Sequence, residues 1–170
     1  MAGRQGNPAR VYIGTHTLLP VCIGMAIEQF TLSRGRGYVF PERGLVGIAA
    51  FGAMPDLCTP HLSLDARYSS WSHTLWFLVA LMVVTPMIAS FFRGPGTWRL
   101  ALACWLAAAL HLACDAIAGG IAWLKPWSDE ILGSYIVPPS HWMWWDVAFL
   151  LLTWLLVRLR PLAEARGMTV

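Results

Sequence analysis

Five apolar runs divide the chain, and their lengths constrain its fold more than any other feature. They extend over about Tyr12 to Leu32, Gly44 to Pro55, His73 to Phe92, Trp98 to Ala118 and Trp142 to Leu159. A helix needs about 20 predominantly apolar residues to cross the hydrocarbon of a bilayer. The third and fourth runs meet that length and the fifth nearly does. The second, rich in Gly and Ala, falls short: it either just crosses with help from Tyr38-Val39-Phe40 or is re-entrant. The chain is 57% hydrophobic and 12% charged, with a mean hydropathy of +0.56, whereas soluble domains devote about a quarter of their residues to charge. Ten Trp suit the membrane–water interface. The expected fold is all-α, a multi-pass integral membrane bundle of four to five hydrophobic helices, one of them short or re-entrant. It forms a single domain over residues 1–170, with the bundle at 11–160 and polar tails at 1–10 and 161–170.

Several function classes drop out at this level. The eleven Arg and one Lys that give the net charge of +3 are scattered rather than gathered on one stripe, so no nucleic-acid partner is expected. Cys22, Cys58, Cys104 and Cys114 lack ligand spacing and read as small hydrophobes. The first run contains His16, Pro20 and Glu28 and no small-x-small cleavage site, so it reads as a helix and not as a cleavable signal.

The positive charges set an orientation. Arg34, Arg36 and Arg43 lie between runs one and two, Arg93 and Arg99 between three and four, and Arg158, Arg160 and Arg166 after run five. If all five runs cross, these segments share a side holding eight of the twelve basic residues, which the positive-inside rule makes cytoplasmic. The two long connections, 56–72 and 119–141, then face outward with only Arg67 and Lys125; Arg4 and Arg10 of the amino-terminal tail run against the rule.

That orientation gathers all five histidines at the outer face. His16 opens run one, Asp56 and His61 follow run two, His73 opens run three, His111 and Asp115 lie near the end of run four, and His141 precedes run five, with Asp146 just inside it. His111 and Asp115 stand four apart, stacked on one helical face. Imidazole and carboxylate are the usual nitrogen and oxygen ligands of zinc and related metals, and ionisable groups at membrane depth mark functional sites. Set against this, Asp56 suits a turn after Pro55, the His111–Asp115 pair suits interhelical polar glue, and Tyr68-Ser69-Ser70-Trp71-Ser72 suits a helix start capped by Ser72.

Thr15-His16, Met54-Pro55-Asp56-Leu57, Trp71-Ser72-His73-Thr74 and His111-x-x-x-Asp115 followed by Lys125-Pro126-Trp127 resemble the bacterial membrane-bound metal-dependent hydrolase family over about residues 15–150. In that family the middle motif begins His-Arg; here Tyr68-Ser69-Ser70 stands instead. The ligand order is also similar, more distantly, to bacterial zinc-dependent phospholipase C. These resemblances imply a divalent-metal centre, one or two ions, zinc foremost, held by His16, Asp56, His73, His111, Asp115 and His141; His61, at the same face, is a further candidate ligand by position. Asp56 would orient or deprotonate the attacking water. Independently of the resemblance, Lys125, the one Lys, follows the His-x3-Asp helix and suits either a substrate phosphate, as a point charge, or an ordinary headgroup contact. Missing from the phospholipase pattern are a His after the His-x3-Asp pair and a Glu four after His141, for which Asp146 is an imperfect substitute. The expected activity is hydrolysis, a phosphoester bond favoured, of a membrane lipid or lipid-linked substrate at the extracytoplasmic face of the bacterial inner membrane. No haem or nucleotide is expected, because carboxylates have no place in a bis-histidine haem site. A non-catalytic metal-binding protein and a small transporter are the alternatives; a transporter usually holds its ion near midplane between repeats.

The charge count makes a direct prediction. Cysteines introduced at Ser69 and Gly94 are expected to react with an impermeant maleimide from opposite sides of the membrane. Labelling of both from one side overturns the orientation.

Overall fold

The computed structural model describes residues 13–41, 43–59, 64–91 and 96–168. They form six α-helices: α1 (Ile13–Leu32), α2 (Gly44–Cys58), α3 (Leu64–Ser69), α4 (Leu75–Ala89), α5 (Thr97–Ile117) and α6 (Trp142–Gly167), with 3-10 turns at Trp71–His73 and Pro139–His141. Among the described residues there is no strand. Two isolated antiparallel bridges, Ala118 with Tyr135 and Ile121 with Leu132, fold the α5–α6 connection back on itself. Helix α5 packs between α2 and α4, and α1 packs between α2 and α6.

The interior is apolar and close-packed along α5. Ala107, Ala108 and Leu112 are 0–1% exposed, and the two alanines let neighbouring backbones approach. The exterior is apolar as well. Ile23 and Phe30 of α1, Val83 and Met87 of α4, and Leu151 and Trp154 of α6 are all exposed, a surface far larger than the apolar patches water tolerates. Helix α5 alone among the described helices is long and apolar enough to cross a membrane by itself, while α2 and α4 are shorter apolar helices.

Three departures from the sequence expectations have physical causes. The third run shortens to the 15-residue α4 because Ser72, His73 and Thr74 are drawn inward. The helix cap is Thr74, whose Oγ1 accepts from Phe77 N–H, rather than Ser72, which is fully buried and donates to the Pro55 carbonyl. Within the expected 56–72 loop a short helix forms, α3, and it carries Arg67 inward. Helix α6 continues through the expected polar tail to Gly167, where Tyr38 Oη and Arg160 Nε both donate to Glu164, at 3.0 and 3.1 Å. The turn at 92–95 lies outside the described residues.

Helices α1 and α6 are joined by polar contacts spaced seven residues apart on α1. Thr15 Oγ1 donates to Asp146, Cys22 Sγ meets Thr153 Oγ1 at 3.1 Å, and Gln29 Nε2 donates to the Leu156 carbonyl. Both series rise together, so the two helices run parallel. The α1–α2 approach is set by one proline and one glycine. Pro20 has no N–H to offer the His16 carbonyl one turn earlier, and Gly52 packs onto that carbonyl. A Cβ at Gly52 would stand 2.5 Å from His16 O.

Two glycines on one helix should therefore respond oppositely to alanine. Gly52→Ala is expected to lower the detergent-solubilised protein's Tm, because overpacking costs about 1–3 kcal/mol. Gly47→Ala, whose Cβ would make ordinary contact with Cys104 Sγ at 3.6 Å, should stabilise by about 0.5–1 kcal/mol. Thermal melts of the two variants beside the wild type check both signs.

Candidate metal centre

Four elements deliver five ionisable side chains to one point at the end of the bundle. His16 comes from the first turns of α1, Asp56 from the last turn of α2, His73 from the 3-10 turn before α4, and His111 and Asp115 from the last two turns of α5. All are buried; Asp56, at 7% exposure, is the most accessible.

The hydrogen-bond network fixes how the rings face. A carbonyl only accepts, so His111 Nδ1, 2.7 Å from Gly52 O, carries the proton of that ring. The same reasoning runs through the serines. Ser72 Oγ donates to Pro55 O at 2.6 Å, so the proton in the 2.8 Å Ser70–Ser72 contact belongs to Ser70. Ser70 Oγ must then accept from His73 Nδ1–H at 3.0 Å. Both rings consequently turn an Nε2 lone pair toward the same point, and the two Nε2 atoms stand 3.3 Å apart.

Two carboxylates close on that pair. Asp56 Oδ1 lies 3.3 Å from His73 Nε2 and 3.5 Å from His111 Nε2; Asp115 Oδ2 lies 3.3 and 3.4 Å from the same two atoms. These are two triangles of donors sharing the His73–His111 edge. Ligands about 2.1 Å from a tetrahedral zinc stand roughly 3.4 Å from one another, so each triangle has the dimensions of one face of such a site. His16 adds an imidazole at the rim. Its Nε2 is 3.5 Å from Asp115 Oδ1, and its ring stacks on His111 at 4.0 Å and on Trp142 at 6.0 Å. Two groups of three could hold an ion: His16, His111 and Asp115, and Asp56, His73 and His111. Lone pairs and carboxylates brought this close repel one another, and a cation offsets that repulsion.

Arg67, read from the sequence as a plain loop charge, is part of this cluster. It is 2% exposed, and its Nη1 donates to Asp115 Oδ1 at 2.7 Å. Nη2 donates to Gly120 O at 3.1 Å and reaches Ala118 O at 3.5 Å, satisfying carbonyls where α5 ends. The sequence did carry a signal: Arg67 is one of only two basic residues in the two long connections assigned to the face where the histidines gather. Next to it, burial first and then the neighbouring Tyr135 hydroxyl hold the Tyr68 phenol above its usual range.

Two expected participants, His141 and Lys125, stand elsewhere, and a third falls outside the described residues. His61 lies outside the described residues. His141 is exposed at the start of α6, with its backbone N–H on Pro138 O. Lys125 pairs with Asp129 at 3.2 Å in the α5–α6 connection. Asp146, in α6, accepts from Thr15 and abuts Gly14.

Among known families, the model of the YdjM inner membrane protein family matches residues 12–168. That match spans all the helices but carries no hydrolase or phospholipase C likeness. No curated protein and no solved structure matches.

The Arg67–Asp115 pair makes a stability prediction. Arg67→Ala leaves a buried carboxylate uncompensated and should destabilise the protein by about 3–5 kcal/mol. Arg67→Lys should recover little, since an ammonium cannot span Asp115 and two carbonyls as the guanidinium fork does. Urea or thermal unfolding of the variants measures both.

Proposed function

The chain belongs to the YdjM inner membrane protein family, and from that premise we propose that it is a multi-pass protein with a divalent-metal centre, of one or two ions, that hydrolyses a lipid or lipid-linked phosphoester at the outer interface. The observation that carries the metal reading is the convergence of two Nε2 lone pairs and two carboxylate oxygens within 3.3–3.5 Å. The multi-pass reading draws on alternation. Donors come from the start of α1, the end of α2, the turn before α4 and the end of α5, so successive long helices are antiparallel. The parallel packing of α1 on α6 follows the same alternation. The positive-inside bias then puts the metal site outside and the 92–95 turn inside. Zinc suits the donor set of imidazoles and carboxylates.

The chemistry such an ion supplies is Lewis acidity toward a phosphoryl oxygen and a water acidified to about pKa 7. The chain's own residues do the rest. Gly52 O and the Ser70–Ser72 relay orient the imidazoles, a device that tunes both ligand geometry and basicity. Asp56, the most accessible of the five, is placed to accept the proton of an attacking water. Arg67 holds Asp115 in position and lowers the cost of its buried charge. Lys125, partly exposed beside Asp129, would meet a headgroup only peripherally. A second reading, a non-catalytic metal-binding protein, is favoured by one observation: His16, His73, His111 and Asp115 are each 1–3% exposed.

Metal content and turnover separate these readings. Purified protein is expected to hold near-stoichiometric metal. His73→Ala and Asp115→Ala should lose it, since even changes in the partners behind metal ligands cost about 10–100-fold in affinity or activity, while His141→Ala should keep it. Normal metal in His73→Ala and Asp115→Ala overturns the metal centre. Asp56→Asn should retain much of the metal and lose about 10²–10⁴-fold in turnover. Metal-replete wild type that hydrolyses no phospholipid or polyprenyl phosphate, with or without chelator, leaves the binding reading.

A further inference from the structure

Glu28 has no role in the metal centre. It sits 12 residues beyond His16 on α1, about 18 Å further along the helix axis, and is 6% exposed. A carboxylate this deep in an apolar bundle is costly unless it has a function or a partner. Among the described residues its carboxylate accepts only from Phe40 N–H, at a long 3.4 Å. It lines a cavity of about 470 Å³ together with Tyr38, Arg43, Gly44 and Arg160.

The charges around this cavity fall into two unequal parts. On one side, among the described residues, the carboxylates Glu28 and Glu164 lie near one guanidinium, Arg160, whose Nε donates to Glu164 at 3.1 Å and which sits over the Tyr38 ring. Among the described residues that side carries one net formal negative charge. On the other side stands Arg43, exposed and just before α2, with one net positive charge. Arg43 also borders a second cavity of about 340 Å³, lined by Val46, Ala50, Ile88, Leu100 and Cys104. Arg43 thus joins a polar chamber to an apolar groove, with α2's first turn between them.

We propose that this pair of cavities binds one phospholipid whose headgroup carries a phosphate and a primary ammonium. The ammonium pairs with Glu28, the phosphate with Arg43, and part of an acyl chain lies in the α2–α4–α5 groove. Charge complementarity selects this occupant. An anionic headgroup without an ammonium would bring a second negative charge to Glu28 and no cation for it, and a like-charge juxtaposition is what discriminates between ligands. The site is separate from the metal centre and does not depend on its chemistry.

The full-length protein, exposed to vesicles of equimolar phosphatidylethanolamine and phosphatidylglycerol and then extracted, is examined by native mass spectrometry. Wild type should retain one phosphatidylethanolamine in roughly tenfold preference, the ratio that about 1.4 kcal/mol produces. Glu28→Gln should abolish the preference, and Arg43→Ala should lower retention of both lipids, each with metal content unchanged. Equal or greater retention of phosphatidylglycerol by wild type, or a preference that survives Glu28→Gln, overturns the proposal. If Glu28→Gln does not fold, unaltered lipid retention by Arg43→Ala overturns it instead.

Discussion

A single buried negative charge organises the end of the bundle. Asp115 is 1% exposed, and an ionised carboxylate at that depth costs several kcal/mol unless it is compensated. Each neighbour supplies part of the compensation. Arg67 takes Oδ1 at 2.7 Å, His16 approaches the same oxygen, and His73 and His111 approach Oδ2. Because these partners come from three other elements and from α5 itself, the demand of one carboxylate ties α1, α3, the turn before α4 and α5 together. The same arrangement that offsets its charge leaves the donors spaced as a metal ion would space them.

The backbone cooperates at two points where ordinary helix chemistry is suspended. Pro20 frees the His16 carbonyl, and Gly52 lets α2 lie against it while its own carbonyl receives His111. Close helix packing and ring orientation are therefore one feature seen from two sides. A side chain at position 52 would move α2 away from α1 and also displace the acceptor that fixes the His111 tautomer.

Much of this was legible in the sequence. The apolar runs matched α1, α2, α5 and the start of α6 to within three residues, because hydrophobic length is a strong signal when few charges interrupt it. His16, Asp56, His73, His111 and Asp115 stood out because ionisable groups are scarce in such runs. What was not legible has local causes. Arg67 looked like an ordinary loop cation, since nothing in its neighbours announces the short helix that turns it inward. Ser72 resembled a cap by position, and Thr74 took that role because the serine hydroxyl was needed by Pro55 O. His141 and Lys125 were singled out by type and nearness in sequence; the fold gives His141 to solvent and Lys125 to Asp129.

The chain order of the donors has a consequence for how the protein is made. His16 emerges early in synthesis and Asp115 roughly a hundred residues later, which at usual elongation rates is about 5–20 seconds. Throughout that interval α1 and α2 carry His16 and Asp56 without the helix that supplies their partners. The cluster cannot be completed until α5 has been synthesised, since His111 and Asp115 both lie on it. Assembly at this end of the molecule is therefore a late event, timed by translation of the fourth long helix.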